Sequence, residues 1–111
     1  MSDFFNSEMV RNTMIELEKM QREIFSKVFD IPYLSEEEKK DYLKLIREFI
    51  EKQKLLFFRM SLSDDPEAQE TKDLILESAQ MMGLKEGQSM NDFFEMLELP
   101  IKDIEKSLGL P

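Results

Sequence analysis

A chain of 111 residues with a formal charge of −9, no cysteine and no histidine lacks the side chains behind much of the usual chemistry of small proteins. Without thiol or imidazole there is no disulfide framework, no Ser-His-Asp triad, no Cys-His dyad and no typical zinc site. The length suits one helical domain over residues 1–111, able to bury roughly 65% of the surface that the unfolded chain exposes.

Nine Phe, nine Met and many Leu, Glu and Lys, against only two Val (Val10 and Val28), favour helix over strand. The opening MSDFFNSEMVR has no basic stretch leading into an apolar run, so no signal peptide is expected. The longest apolar run is the four residues Leu55 to Phe58, too short to span a membrane, and a cytoplasmic location is the expectation. Residues 63–111 hold twelve Asp or Glu against four Lys, while residues 1–62 nearly balance. Such an acidic half disfavours nucleic acid. It serves solubility, or it docks on a basic partner.

The first helix is expected over about residues 7–28, capped by Asn6 or Ser7. Val10, Leu17, Ile24 and Ile31 recur every seven residues, and Met14, Met20, Phe25 and Val28 widen that stripe. Glu18–Arg22, Lys19–Glu23 and Glu23–Lys27 are spaced to pair on the wet side. Pro32 disfavours helix at Ile31, so residues 29–34 form the turn.

Ser35 followed by Glu38 is a capping box, and Glu36, Glu37 and Glu38 suit the positive end of a helix. This second helix should reach about Ser61. Tyr42, Ile46, Phe49, Gln53, Leu56 and Met60 form one stripe, with Leu43, Ile50 and Phe57 beside it. Leu55-Leu56-Phe57-Phe58 points in every direction, more than one antiparallel neighbour can cover. Later helices, a second subunit or both must cover the rest.

Ser63, Asp64 or Asp65 can cap a third helix with Pro66 in its first turn. It runs to Met82, with Ala68, Ile75, Ala79 and Met82 on one face and Leu74 and Met81 beside them. Gly83-Leu84 reads as a left-handed stop with its hydrophobic contact. Ser89 and Asp92 open a short fourth helix to Leu99, Pro100 ends it, and a fifth covers residues 101–108 before a second Gly-Leu stop at Gly109-Leu110. Met81-Met82 and Phe93-Phe94 are adjacent pairs, and one helical face cannot bury both members of each, so some of this apolar surface is expected to meet another chain.

Ser63-Asp64-Asp65 lacks the alternating acids, central Gly and distal Glu of a calcium loop, and capping explains it. Glu70 and Asp73 match the second half of the paired-acid pattern of all-α magnesium-dependent nucleotide pyrophosphohydrolases. The first half, sought among Glu36, Glu37 and Asp41 of the second helix, departs, because Lys40 stands where Glu36-Glu37 would need its third ligand. A helix-turn-helix reading of the third and fourth helices fails on Asp92, Glu95 and Glu98. No phosphate-binding loop, dinucleotide fingerprint or nucleophile elbow is present.

The stretches Glu51-Lys52-Gln53-Lys54, Arg59 through Ala68, and Phe4-Phe5-Asn6-Ser7-Glu8-Met9-Val10-Arg11 resemble a family of small uncharacterised proteins of cyanobacteria and of the phages that infect them. The resemblance covers nearly the whole chain and weakens after Gly83. It implies no assigned activity and no catalytic residues. For a phage-encoded copy it implies a modulator of host machinery.

The expectation is therefore an all-α protein: a long antiparallel helical hairpin, then a third helix and one or two short C-terminal helices. Its function is non-catalytic protein interaction or regulation, as a homodimer that also meets an unidentified protein, with no catalytic, cofactor or metal residues and no nucleic-acid or membrane partner. The candidate interaction surface is Leu55, Phe57, Phe58, Arg59, Asp64 and Asp65. Lys52, Gln53, Arg59 and the two Asp residues can instead be structural, with Gln53 setting register and the Asp residues capping. The alternative is the magnesium-dependent pyrophosphohydrolase-like enzyme.

Overall fold

Ser35 begins the element around which everything else packs. Its hydroxyl accepts a hydrogen bond from the Glu38 amide at 3.2 Å, and the Glu38 carboxylate accepts one from the Ser35 amide at 3.3 Å. Three acids in the first turn and Arg59 in the last match the helix dipole. The computed structural model describes residues 3–109, and its helices are α1 (Glu8–Lys27), α2 (Glu36–Leu62), α3 (Pro66–Met81) and α4 (Met90–Ser107), with one turn of 3-10 helix over Ile31–Tyr33. No strand occurs among the described residues.

α1 and α2 form the antiparallel hairpin. Val10 clusters with Leu56 and Met60, Glu16 pairs with Lys52 at 3.2 Å, and the Tyr42 hydroxyl donates to the Ile24 carbonyl at 3.0 Å. α4 also runs antiparallel to α2: Phe57 meets Phe94 edge-on at 6.3 Å, and Arg47 pairs with Glu105. α3 closes the C-terminal end of α2, where Gln69 donates to the carbonyls of Met60 (3.1 Å) and Ser63 (2.7 Å).

The core has two parts. One joins Leu43 and Ile50 of α2 to Ala79, Leu84, Phe94 and Ile101. The other joins Val10, Leu56 and Met60 under Phe4 and Phe5. Gly83 takes φ +116°, and the Leu84 amide reaches back to the Ala79 carbonyl at 3.0 Å. Helix α3 thus ends in the left-handed stop, with Leu84 delivered into the first cluster. The second Gly-Leu stop falls partly on Leu110, outside the described residues.

Several expectations need correction. Pro100 does not divide two helices; it lies inside α4. An interior proline removes one backbone hydrogen bond and crowds the preceding turn. Here the buried or half-buried face Met90, Phe94, Leu97, Ile101 and Leu108 continues through it, and burial against α2 holds both halves in line. Ser7 adjoins α1 without a side-chain capping bond. Met14 and Phe25 of α1 and Val28 just past its end are exposed rather than core, as are Leu74, Met81 and Met82, because α1 has its main neighbour on one side only and α3 sits at an end. Leu76 joins the core instead. Phe93 and Phe94 are both buried, since α4 touches both α2 and α3.

Tyr42 offers a test of the hairpin. Its buried phenol is pushed above the usual value near 10, because burial penalises the charged form. Its stabilising contribution is therefore complete below the unfolded-state value and is lost as pH rises through the higher folded-state value. Tyr42→Phe is expected to lose about 1 kcal/mol at neutral pH. The variant should also lose less stability on going to strongly alkaline pH. Urea unfolding at the two pH values checks both.

Candidate interaction surface

The chain exposes 8164 Å², whereas a folded monomer of 13.2 kDa exposes about 6,400 Å². Its Cα radius of gyration is 15.9 Å, against about 13 Å for a compact chain of this length. Among the described residues no large side chain is sealed completely from solvent. The surplus surface of about 1,700 Å² includes two apolar regions, one on each side of the hairpin.

The first is the outer side of the C-terminal half of α2. Leu55, Phe58 and Leu62, at i, i+3 and i+7, are 57%, 60% and 70% exposed. They stay outside because α1, α3 and α4 occupy the other faces of α2. Earlier turns of the same outer side carry Asp41, Lys44 and Glu48, so only this end is apolar. Arg59 is exposed beside Leu55, and with Met9 and Lys52 it borders a shallow groove toward α1. Of the six residues expected on this surface, Leu55, Phe58 and Arg59 share the outer side.

The other three lie elsewhere. Phe57 turns inward and is half-buried against Phe94. Asp64 is exposed in the link between α2 and α3. Asp65 is half-buried: its carboxylate accepts from the Glu67 amide at 3.0 Å, capping α3, and from the Phe4 amide at 2.8 Å. The Ser63 hydroxyl accepts from the Asp65 amide at 3.1 Å. The carboxylate thus anchors the N-terminal arm as well as α3.

The second region is an open groove of about 360 Å³. Its floor is Gln53, Leu56 and Phe57 of α2. Leu17 of α1 forms one wall, Phe93 and Leu97 of α4 the other, and Ile75 of α3 with Met82 just past its end closes one end. Leu17, Gln53 and Leu56 also line its extension along α1, with Met14, Gln21 and Phe49. Sequence reasoning missed this groove. The legible hint was Gln53, a polar residue in the middle of an apolar stripe. The same reasoning missed Gln69 and the Phe4 arm as the fastenings of the α2–α3 turn.

The acidic residues raised as possible magnesium ligands do not converge. Among the described residues no group of three or more carboxylates is placed to hold an ion, so Glu70 and Asp73 have no counterpart at Glu36, Glu37 or Asp41. Among the described residues, no helix is long and apolar enough to cross a membrane. Comparison with protein-family models, with curated proteins and with solved structures finds no match to this chain.

Proposed function

We propose that this protein is a non-catalytic interaction module that works as a helical homodimer and presents the outer side of α2 to a further protein. The observation that carries this reading is the surplus of about 1,700 Å² over a sealed monomer. An obligate homodimer commonly takes about 1,000 Å² or more from each partner. The exposed Leu55, Phe58 and Leu62 beside Arg59 supply a second apolar surface for an unidentified protein. A cytoplasmic location and kinship with the small cyanobacterial and cyanophage proteins belong to the same proposal. The kinship rests on residues 4–11 and 51–68.

Two measurements test it. Light scattering over a micromolar concentration series is expected to give twice the 13.2 kDa chain mass; a species at the single-chain mass throughout would remove the dimer. Thermal unfolding with magnesium and a panel of nucleotides is expected to leave the midpoint in place. A rise with both together would restore the pyrophosphohydrolase-like alternative.

A further inference from the structure

We infer that the outer side of α2 receives an amphipathic helix of another protein, whose apolar stripe is flanked by acidic side chains. This rests on the reading above that a further protein meets this side, and it adds the form and the charge of what that protein presents.

Charge is the first argument. Residues 52–62 hold Lys52, Lys54 and Arg59 and no acid, within a chain of charge −9. Glu51 is the last acid before this stretch and Asp64 the first after it. The helix dipole accounts for Arg59, in the last turn of α2, but fades before Lys54 and Lys52, more than two turns from the end. Lys52 is paired with Glu16 at 3.2 Å, whereas among the described residues Lys54 and Arg59 have no ion pair. A local cationic patch on an acidic chain steers toward it a partner of opposite sign.

Shape is the second. Leu55, Phe58 and Leu62 form an exposed ridge, about 10 Å long at ~1.5 Å per residue. A groove of about 210 Å³ runs toward α1, bordered by Met9, Thr13, Lys52 and Arg59. A groove of about 350 Å³ runs toward the start of α4, bordered by Lys54, Ser61, Ser89 and Asn91, with Glu51 at its edge. The ridge thus has a cation on either side. A helix laid along it sets its i, i+3 and i+7 side chains against the ridge and its two edges over the grooves. Acids on those edges meet Lys52 and Arg59 on one side and Lys54 on the other. Among the described residues there is no strand edge to which an extended peptide could add.

Two other occupants fit less well. In a second copy, α3 carries Glu70 and Glu77 beside the exposed Leu74 and Met81. That contact joins two different patches, so it does not by itself close into a dimer. An anionic lipid surface would attract the three cations but repel a chain of charge −9.

The test uses a displayed library of helical peptides with Leu fixed at i, i+3 and i+7, and with Asp, Glu, Lys, Arg, Ser and Gln varied on both flanks. Peptides retained by the full chain should be enriched in Asp and Glu on each flank. Lys54→Gln combined with Arg59→Gln should weaken them by about tenfold. Leu55→Glu combined with Phe58→Glu should weaken them by about 100-fold or more, with far-UV circular dichroism confirming the fold. If that pair loses helicity, Leu55→Ser combined with Phe58→Ser takes its place.

Peptides that bind this side with neutral or basic flanks, or that bind the glutamine pair as tightly as wild type, overturn the inference and leave the surface in use. Retention of no peptide, or of peptides indifferent to the Leu55 and Phe58 changes, overturns the inference and also the reading it rests on. So does a self-association that the same changes dissolve, which would assign this side to a second copy. Wild-type protein that sediments with phosphatidylserine–phosphatidylcholine vesicles, when the Leu55 and Phe58 variant does not, would assign it to lipid instead.

Discussion

Phe94→Ala is expected to cost about 3 kcal/mol or more. The ring is 5% exposed and sits edge-on to both Phe57 and Phe93, each at 6.3 Å. It also shares a cluster with Leu43, Ile50 and Ile101. Its removal takes away the main aromatic contact holding α4 against α2. The open groove beside it, about 360 Å³, lets water reach the space left behind. That keeps the cost toward the lower end of the range of about 3–5 kcal/mol seen for buried Phe. A domain of this size has total stability of roughly 5–15 kcal/mol, so the variant should unfold at markedly lower urea. Phe58→Ala is the matched control. Its ring is 60% exposed, and the effect within a single chain should stay within about 0.5 kcal/mol. Equal losses for the two would contradict the inward placement of α4.

Asp65→Ala carries the second large expected effect, about 2–4 kcal/mol. One part, about 1 kcal/mol, is the lost cap on the Glu67 amide. The other is the Phe4 amide, which loses its carboxylate partner in a half-buried site at about 1–3 kcal/mol. Asp65→Asn retains an acceptor for one amide but offers a donor where the second oxygen stood, so it should fall between wild type and alanine. Asp64→Ala, at the exposed neighbour, should change stability by no more than about 0.5 kcal/mol. Urea midpoints rank the variants. Amide exchange at Phe4 separates the two parts, because only loss of the arm contact exposes that proton.

Several features of this fold were readable before any coordinates. The capping boxes Ser35–Glu38 and Ser89–Asp92 mark two helix starts, and both form. Asp65 with Pro66, and Gly83 with Leu84, bound α3 as expected. These signals are local: a side chain satisfies an amide two or three residues away, or a glycine takes a conformation that few other residues accept. The paired acids of the magnesium alternative were also visible, but whether they converge depends on helix placement, which spacing along the chain does not contain.

The interaction surface was legible only in part. The run Leu55-Leu56-Phe57-Phe58 announced more apolar surface than one helix could cover. The division of that surface came from the packing of α1, α3 and α4: Leu56 and Phe57 inward, Leu55 and Phe58 outward.

Composition and local chemistry thus determined an all-helical chain without thiol or imidazole chemistry, and placed the starts of α2, α3 and α4. Tertiary packing decided that Pro100 continues a helix instead of ending one, that Phe25 lies outside while Phe93 and Phe94 lie inside, and that a groove remains between α1 and α4. The physical reason is range. Caps and turns act within a few bonds, whereas burial depends on which helices meet, and an interior proline is tolerated when the apolar face on both sides of it has the same neighbour to cover.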